Sequence, residues 1–276
     1  SLVTQECLQD IWEWDAADET WTNVTPPDDK PSPRKDHSMV YDSSLGILLV
    51  FGGLSSEGII LQDTWEWDGA YRSWTNVTPA GDKPPPRFRH AMAYDSESDK
   101  IVLFGGTSSK YTLANFAVAI SWTGDVESYG DTWQWDGVAR AWTEKFGPGG
   151  VAPQPRHWHS MTYDVGRRRT VLTGGEACAY DEDILYTFPV QCSALLSTWE
   201  WEGESETWTD VTRHTWEWDE EIKTWTDVMH PAFGGGRVRH ATSYDGIRER
   251  VVAYGGCSRW GSYQSFANYS RGVWEY

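Results

Sequence analysis

Pairs of tryptophans recur along this chain at one unvarying separation: Trp12 and Trp21, Trp65 and Trp74, Trp133 and Trp142, Trp199 and Trp208, Trp216 and Trp225. A second set keeps its own spacing, with Tyr41 and Gly52, Tyr94 and Gly105, Tyr163 and Gly174, Tyr244 and Gly255. A fixed separation requires a fixed turn between two segments, and self-similarity at a period of about 50 residues marks a repeat architecture. The cleanest unit runs from Asp63 to Gly106: DTWEWD, a polar turn, SWTNVT, a proline-rich link, RFRHAMAYD, another short turn, then KIVLFGG.

Two kinds of hairpin alternate within this unit. TWEWD alternates in polarity, so Trp65 and Trp67 share one face of a strand while Thr64 and Glu66 share the other. ILLVFGG and KIVLFGG are apolar without interruption, as expected of strands covered on both faces. A sheet with such inner strands and amphipathic outer ones is enclosed near its middle and wet at its rim, which is the blade of a propeller. The pairs Gly52 and Gly53, Gly105 and Gly106, Gly174 and Gly175, Gly255 and Gly256 end the inner strands, where the chain needs dihedrals closed to other residues.

One domain is expected over residues 1–276, with blade-like units near 1–25, 34–78, 87–146, 156–212, 213–229 in part, and 237–276. Six tryptophan-bearing strands imply six blades, some incomplete, with five as the alternative. One outer hairpin directly follows another in TWTDVTRHTWEWDEEIKTWTDV, so an inner hairpin is expected to be missing there, through a truncated blade or skipped residues. Long insertions fall at 107–130, 176–197 and 257–272. Because the strands run antiparallel, all this length variation is expected at one end of the sheets, opposite the short turns.

The chain has a formal charge of −18 and no apolar run long enough to span a bilayer as a helix. Nucleic acid and anionic membrane surfaces both select positive charge, so neither is an expected partner. The sequence begins at Ser1, which reads as a processed form or a fragment. Cys178 with Cys192, inside one insertion, and Cys7 with Cys257, after equivalent strands, are candidate disulfides, and the alternative is four buried thiols. Disulfides would favour an extracellular, cell-surface or periplasmic location.

The segments HSMVYD, HAMAYD, HSMTYD and HATSYD, the endings VFGG, LFGG, LTGG and AYGG, and the DTWEWD-type strand followed by WT resemble the kelch repeat. The resemblance covers nearly the whole chain outside the three insertions. It implies an all-β propeller of four-stranded antiparallel blades in which both chain ends commonly build one blade, removing exposed sheet edges.

All tryptophans except Trp122, Trp158 and Trp260 occupy repeat positions and are expected to pack between blades. Trp122 and Trp260, with Tyr111, Tyr180 and Tyr263 in the same insertions, are the candidate ligand contacts. His37, His90, His159 and His240 share one repeat position and are expected to be structural hydrogen bonders. Arg34, Arg87, Arg156 and Arg237 precede them and are expected to brace neighbouring blades through carboxylates or carbonyls. Asp181, Glu182 and Asp183 form a weak calcium candidate against the plainer reading of a solvated loop. Sequons begin at Asn23, Asn76 and Asn268, the first two inside the repeat.

No zinc-type spacing, nucleophile elbow, P-loop or HExxH is present, and no cofactor is expected. The leading expectation is a non-catalytic binding module that engages protein or glycan through its insertions, on a rigid scaffold. Kelch propellers also carry active sites in copper radical oxidases of the galactose oxidase type and in sialic acid epimerases. The oxidases would need a Cys, Tyr and His constellation that these residues do not assemble. A structural subunit whose unfinished blades accept strands from adjacent molecules is the third reading.

Overall fold

The computed structural model describes residues 7–108, 128–145, 151–180, 190–212, 215–219, 224–228, 237–258 and 273–275. The chain divides into two compact units, Ser1–Glu127 with Asp131–Lys145, and Ser128–Gly130 with Phe146–Tyr276.

The first unit begins with a hairpin of β1 (Trp12–Asp15) and β2 (Thr20–Asn23). A full blade follows. The short β3 (Arg34–Lys35) and β4 (Ser38–Asp42) both pair with β5 (Ile47–Ser55), which pairs in turn with β6 (Ile60–Asp68) and then β7 (Ser73–Asn76). The next blade is β8 (Ala91–Asp95), β9 (Lys100–Phe104), β10 (Thr132–Asp136) and β11 (Ala141–Lys145), all antiparallel. Its core joins the two blades: Leu49 and Phe51 of β5 pack with Met92, Ile101, Leu103, Trp133, Trp135 and Trp142. The Trp142 ring meets Phe51 edge-on at 5.2 Å, and its Nε1 donates to Thr64 Oγ1 at 3.0 Å. Burying an indole between sheets thus satisfies its polar atom as well as its area.

The second unit holds one more full blade, β12 (Ser160–Asp164), β13 (Arg169–Thr173), β16 and β17, interrupted by the hairpin β14 (Glu176–Tyr180) and β15 (Val190–Ala194) before β16 (Thr198–Glu202) and β17 (Thr207–Asp210). Next come β18 (Thr215–Asp219) and β19 (Thr224–Val228), paired with each other, then β20 (Arg237–Val238), β21 (Ala241–Asp245), β22 (Arg250–Tyr254), β23 (Cys257–Ser258) and β24 (Val273–Glu275). Strands β21, β22 and β24 form a three-stranded sheet. Strand β12 lies directly beside β21: Ser160 Oγ and Thr242 Oγ1 are 2.6 Å apart, Gly166 N donates to the Tyr244 hydroxyl, and Thr173 Oγ1 meets His240 Nε2 at 2.8 Å. The hairpin β18–β19 pairs with no other strand among the described residues, so this outer hairpin stands without inner strands of its own, while the inner strands β12 and β21 on either side of it in the sequence lie against each other.

The constant spacings have a common cause in the turns. Asp15, Asp42, Asp68, Asp95, Asp136 and Asp245 each end a strand and accept the amide two residues on, at 2.8 to 3.0 Å. Most of these turns then close through a left-handed residue, as at Glu19 (φ 52), Arg72 (φ 49), Asp99 (φ 51) and Arg140 (φ 50). The geometry sets the Trp pairs directly opposite each other: Trp67 faces Trp74, Trp135 faces Trp142 and Trp201 faces Trp208, with rings 5.2, 5.2 and 5.4 Å apart.

The second glycine of each pair is fixed by the repeat histidine. Gly106 has φ +95, and a Cβ there would lie 2.9 Å from His90 Cβ and 2.9 Å from the Phe88 carbonyl. The same relation joins Gly53 to His37, Gly175 to His159 and Gly256 to His240.

Candidate binding surface

Three of the repeat arginines, Arg34, Arg87 and Arg156, are buried, with guanidinium groups on acceptors of their own blades. Arg87 is fully buried, with Nη1 on the Gly105 carbonyl at 2.9 Å and both Nη atoms on the Asp131 carboxylate at 2.7 and 2.6 Å. Arg34 repeats this with Gly52 and Asp63. The same aspartate accepts from the neighbouring indole, Trp65 on Asp63 and Trp133 on Asp131. Carboxylates and carbonyls are the expected acceptors and belong to the arginine's own blade, while its backbone holds the preceding strands: Arg87 N donates to Leu61 O at 3.2 Å and Gly53 N donates to Arg87 O at 2.9 Å, so the residue joins neighbouring blades through main chain and side chain together. Arg156 differs. Where its counterparts meet an aspartate it meets Ser197 Oγ at 3.0 Å, and burial, offset by Asp210, pulls its pKa down to about 10.

Between blades there are further ties. Arg140 reaches Glu66 at 2.7 Å, and Arg72 reaches Glu13 at 3.1 Å. The residue just before each repeat histidine also links blades, always at positive φ: Asp36 (56), Arg89 (61), Trp158 (56) and Arg239 (60). Arg89 N donates to Asp36 O at 2.8 Å while its Nε reaches the Asp36 carboxylate; Arg239 N donates to Trp158 O at 3.0 Å with its guanidinium 3.6 Å over the indole. Trp158 is thus placed by a cation–π contact that its spacing does not disclose. The signal available in sequence is that this one position varies freely, as Asp, Arg, Trp and Arg, inside a constant frame.

The first hairpin presents what other repeats bury. Trp14 is 49% exposed and Trp21 62%, while Trp135 and Trp201, the counterparts of the first, are at 0% and Trp142 and Trp208, those of the second, at 4%. Met39 and Tyr41 of β4 are exposed as well. Among the described residues no strand pairs with the inner side of β1.

A family model described as the KLHDC2/KLHL20/DRC7 Kelch-repeats domain matches residues 3–215. The chain belongs to the kelch-repeat family. Its all-β, four-stranded antiparallel blades are those of a kelch-type β-propeller. Among curated kelch relatives it is 32% identical over 145 residues to dynein regulatory complex subunit 7 of Chlamydomonas reinhardtii, covering 52% of this chain and 11% of that protein. It is 33% identical over 96 residues to human Kelch domain-containing protein 3, covering 34% of this chain and 24% of that one. The match thus spans a quarter or less of either relative. The solved structure of YjhT superposes with a TM-score of 0.61 at 9% identity, over 96% of this chain and 71% of that one, a likeness of fold.

Within this kelch frame, Cys178 and Cys192 face each other across β14–β15 and form a disulfide. Cys7, expected to pair with Cys257, instead carries a free thiol that donates to the Leu54 carbonyl at 3.8 Å; the Cys257 side chain lies outside the described residues. Tyr111, Trp122, Asp181, Glu182, Asp183, Trp260, Tyr263 and Asn268 also lie outside them, as do the side chains of Tyr180 and Arg237. Asn23 and Asn76 are exposed, and each Oδ1 accepts the amide two residues on, from Thr25 and Thr78. Asp210 does the same for Thr212 at the equivalent place, so turn chemistry accounts for these asparagines. No helix is long and apolar enough to cross a membrane among the described residues.

Proposed function

We propose that this chain is a non-catalytic kelch scaffold that recognises a protein partner through the insertions at 107–130, 176–197 and 257–272. The observation behind this reading is the Asp-capped turn. At one end of each sheet the strand connections are short and chemically uniform, while at the other end their lengths diverge. Rigid frames with variation confined to one side are suited to recognition. Dynein regulatory complex subunit 7 is by its name part of an assembly, which fits a role in contacting other proteins. The disulfide supports an extracellular or cell-surface setting, and the aromatic residues of the insertions make a glycan the alternative ligand. Replacing residues 109–127 with a short Gly/Ser linker should abolish partner capture and leave one cooperative melting transition; capture at full strength would defeat the proposal.

The exposed aromatic edge supports a second, compatible reading in which β1 accepts strands from another molecule. Sedimentation across a dilution series should then show self-association that Trp14→Ser with Trp21→Ser weakens. A monomer at every concentration removes this reading.

A further inference from the structure

The two positions that flank each Gly-Gly ending across the sheet hold a backbone-paired couple in every repeat: Lys35 opposite Leu54, Phe88 opposite Thr107, Val238 opposite Cys257. In one repeat alone both members are metal-ligating residues, His157 opposite Glu176. Both side chains are almost wholly buried, at 3% and 2% exposure. His157 Nε2 lies 3.2 Å from Glu176 Oε1, and the Cys178 sulfur lies 3.9 Å from the same oxygen. One ligand atom each from His157, Glu176 and Cys178 all fall within 4.8 Å of one another, and Cys192 is bonded to Cys178.

From this clustering we infer that His157, Glu176, Cys178 and Cys192 form a zinc site that opens when the disulfide is reduced. Four ligands around one tetrahedral zinc stand about 3.3 to 3.8 Å apart, given bond lengths of about 2.0 to 2.3 Å. His157 Nε2 and Glu176 Oε1 at 3.2 Å, and Glu176 Oε1 and the Cys178 sulfur at 3.9 Å, already stand near that spacing. While the disulfide holds, its sulfurs are poor ligands and two donors remain, too few for tight binding. A dithiol reductant transfers two electrons and two protons to the bridge, giving two thiols and an oxidised reductant. Zinc then binds both sulfurs as thiolates, releasing two protons, with an imidazole nitrogen and a carboxylate oxygen completing the shell. Ser128 Oγ stands 3.1 Å from His157 Nδ1, where it can accept a hydrogen bond from Nδ1–H and orient the ring for Nε2 ligation. Cys178 and Cys192 are partly exposed, so reductant and metal have access. The inference is independent of which partner the insertions recognise.

The test uses the full chain, either oxidised or reduced with dithiothreitol and desalted anaerobically, dialysed against buffered zinc and assayed for metal by mass spectrometry. Reduced protein should bind one zinc per chain at least ~100-fold more tightly than oxidised protein. Cobalt should give thiolate charge-transfer absorption in the reduced form only. His157→Phe with Glu176→Thr installs the pair that the preceding repeat already uses, so the fold is retained while zinc binding should fall by ~10–100-fold. Equal uptake by oxidised and reduced chains, no uptake by the reduced chain, or undiminished uptake by the double variant would each overturn the site.

Discussion

At the level of single residues, the repeat arginines offer a comparison built into one molecule. Arg87 is buried against a bidentate carboxylate, and removing that charge strands a guanidinium out of water. Asp131→Asn should therefore cost about 3–5 kcal/mol in urea denaturation. Arg156 already lives without such a partner, facing Ser197. Ser197→Asp should supply it and stabilise the chain by roughly 1.5–3 kcal/mol; a loss of stability would mean that the site has adapted its packing to serine. The repeat histidines set an acid limit. Burial, aided by the Arg87 charge, holds the His90 pKa well below its ordinary 6.5, and burial lowers His37 as well. Below pH 6.5 the unfolded chain takes up protons that the folded chain refuses. Stability from His90 is thus complete above pH 6.5 and declines as pH falls toward the folded-state value, by up to about 1.4 kcal/mol per pH unit. Urea midpoints should drop over that range in the parent protein and drop less in His90→Gln.

Among the elements, the hairpin β18–β19, which pairs with no other strand among the described residues, makes the sharpest case. Since β12 and β21 already share hydrogen bonds, excising 213–229 should leave a single cooperative transition and an unchanged circular dichroism band shape. Splitting of the transition would show the hairpin to be integral. The strands themselves were legible in the sequence because turn chemistry is local: an aspartate, a short polar run and an opposed indole pair are all encoded within a few neighbouring positions. The blade pattern followed from the uninterrupted apolar inner strands, borne out at Ile101 to Phe104, all buried. What escaped the sequence was long-range. Nothing near Arg87 in the chain says that its acceptor is Asp131 in the same blade, and nothing near Trp158 announces Arg239. His157 and Glu176 follow no ligand spacing in the sequence and meet only through the pairing of their two segments.

At the scale of the whole molecule the formal charge is −18, and among the described residues several basic side chains are drawn inward or into pairs. Arg34, Arg87 and Arg156 are buried, and Arg72, Arg140, Arg167 and Arg169 are all in ion pairs. The field seen by an approaching molecule is accordingly acidic, favouring a basic partner and a salt-sensitive encounter rate. The unequal burial of the indoles has its own use. Trp12, Trp14 and Trp21 lie open to solvent, whereas Trp135, Trp142, Trp201 and Trp208 are enclosed. Collisional quenchers should reach the first group before the second, so quenching of the intrinsic fluorescence should contain an accessible component that covering the first hairpin reduces.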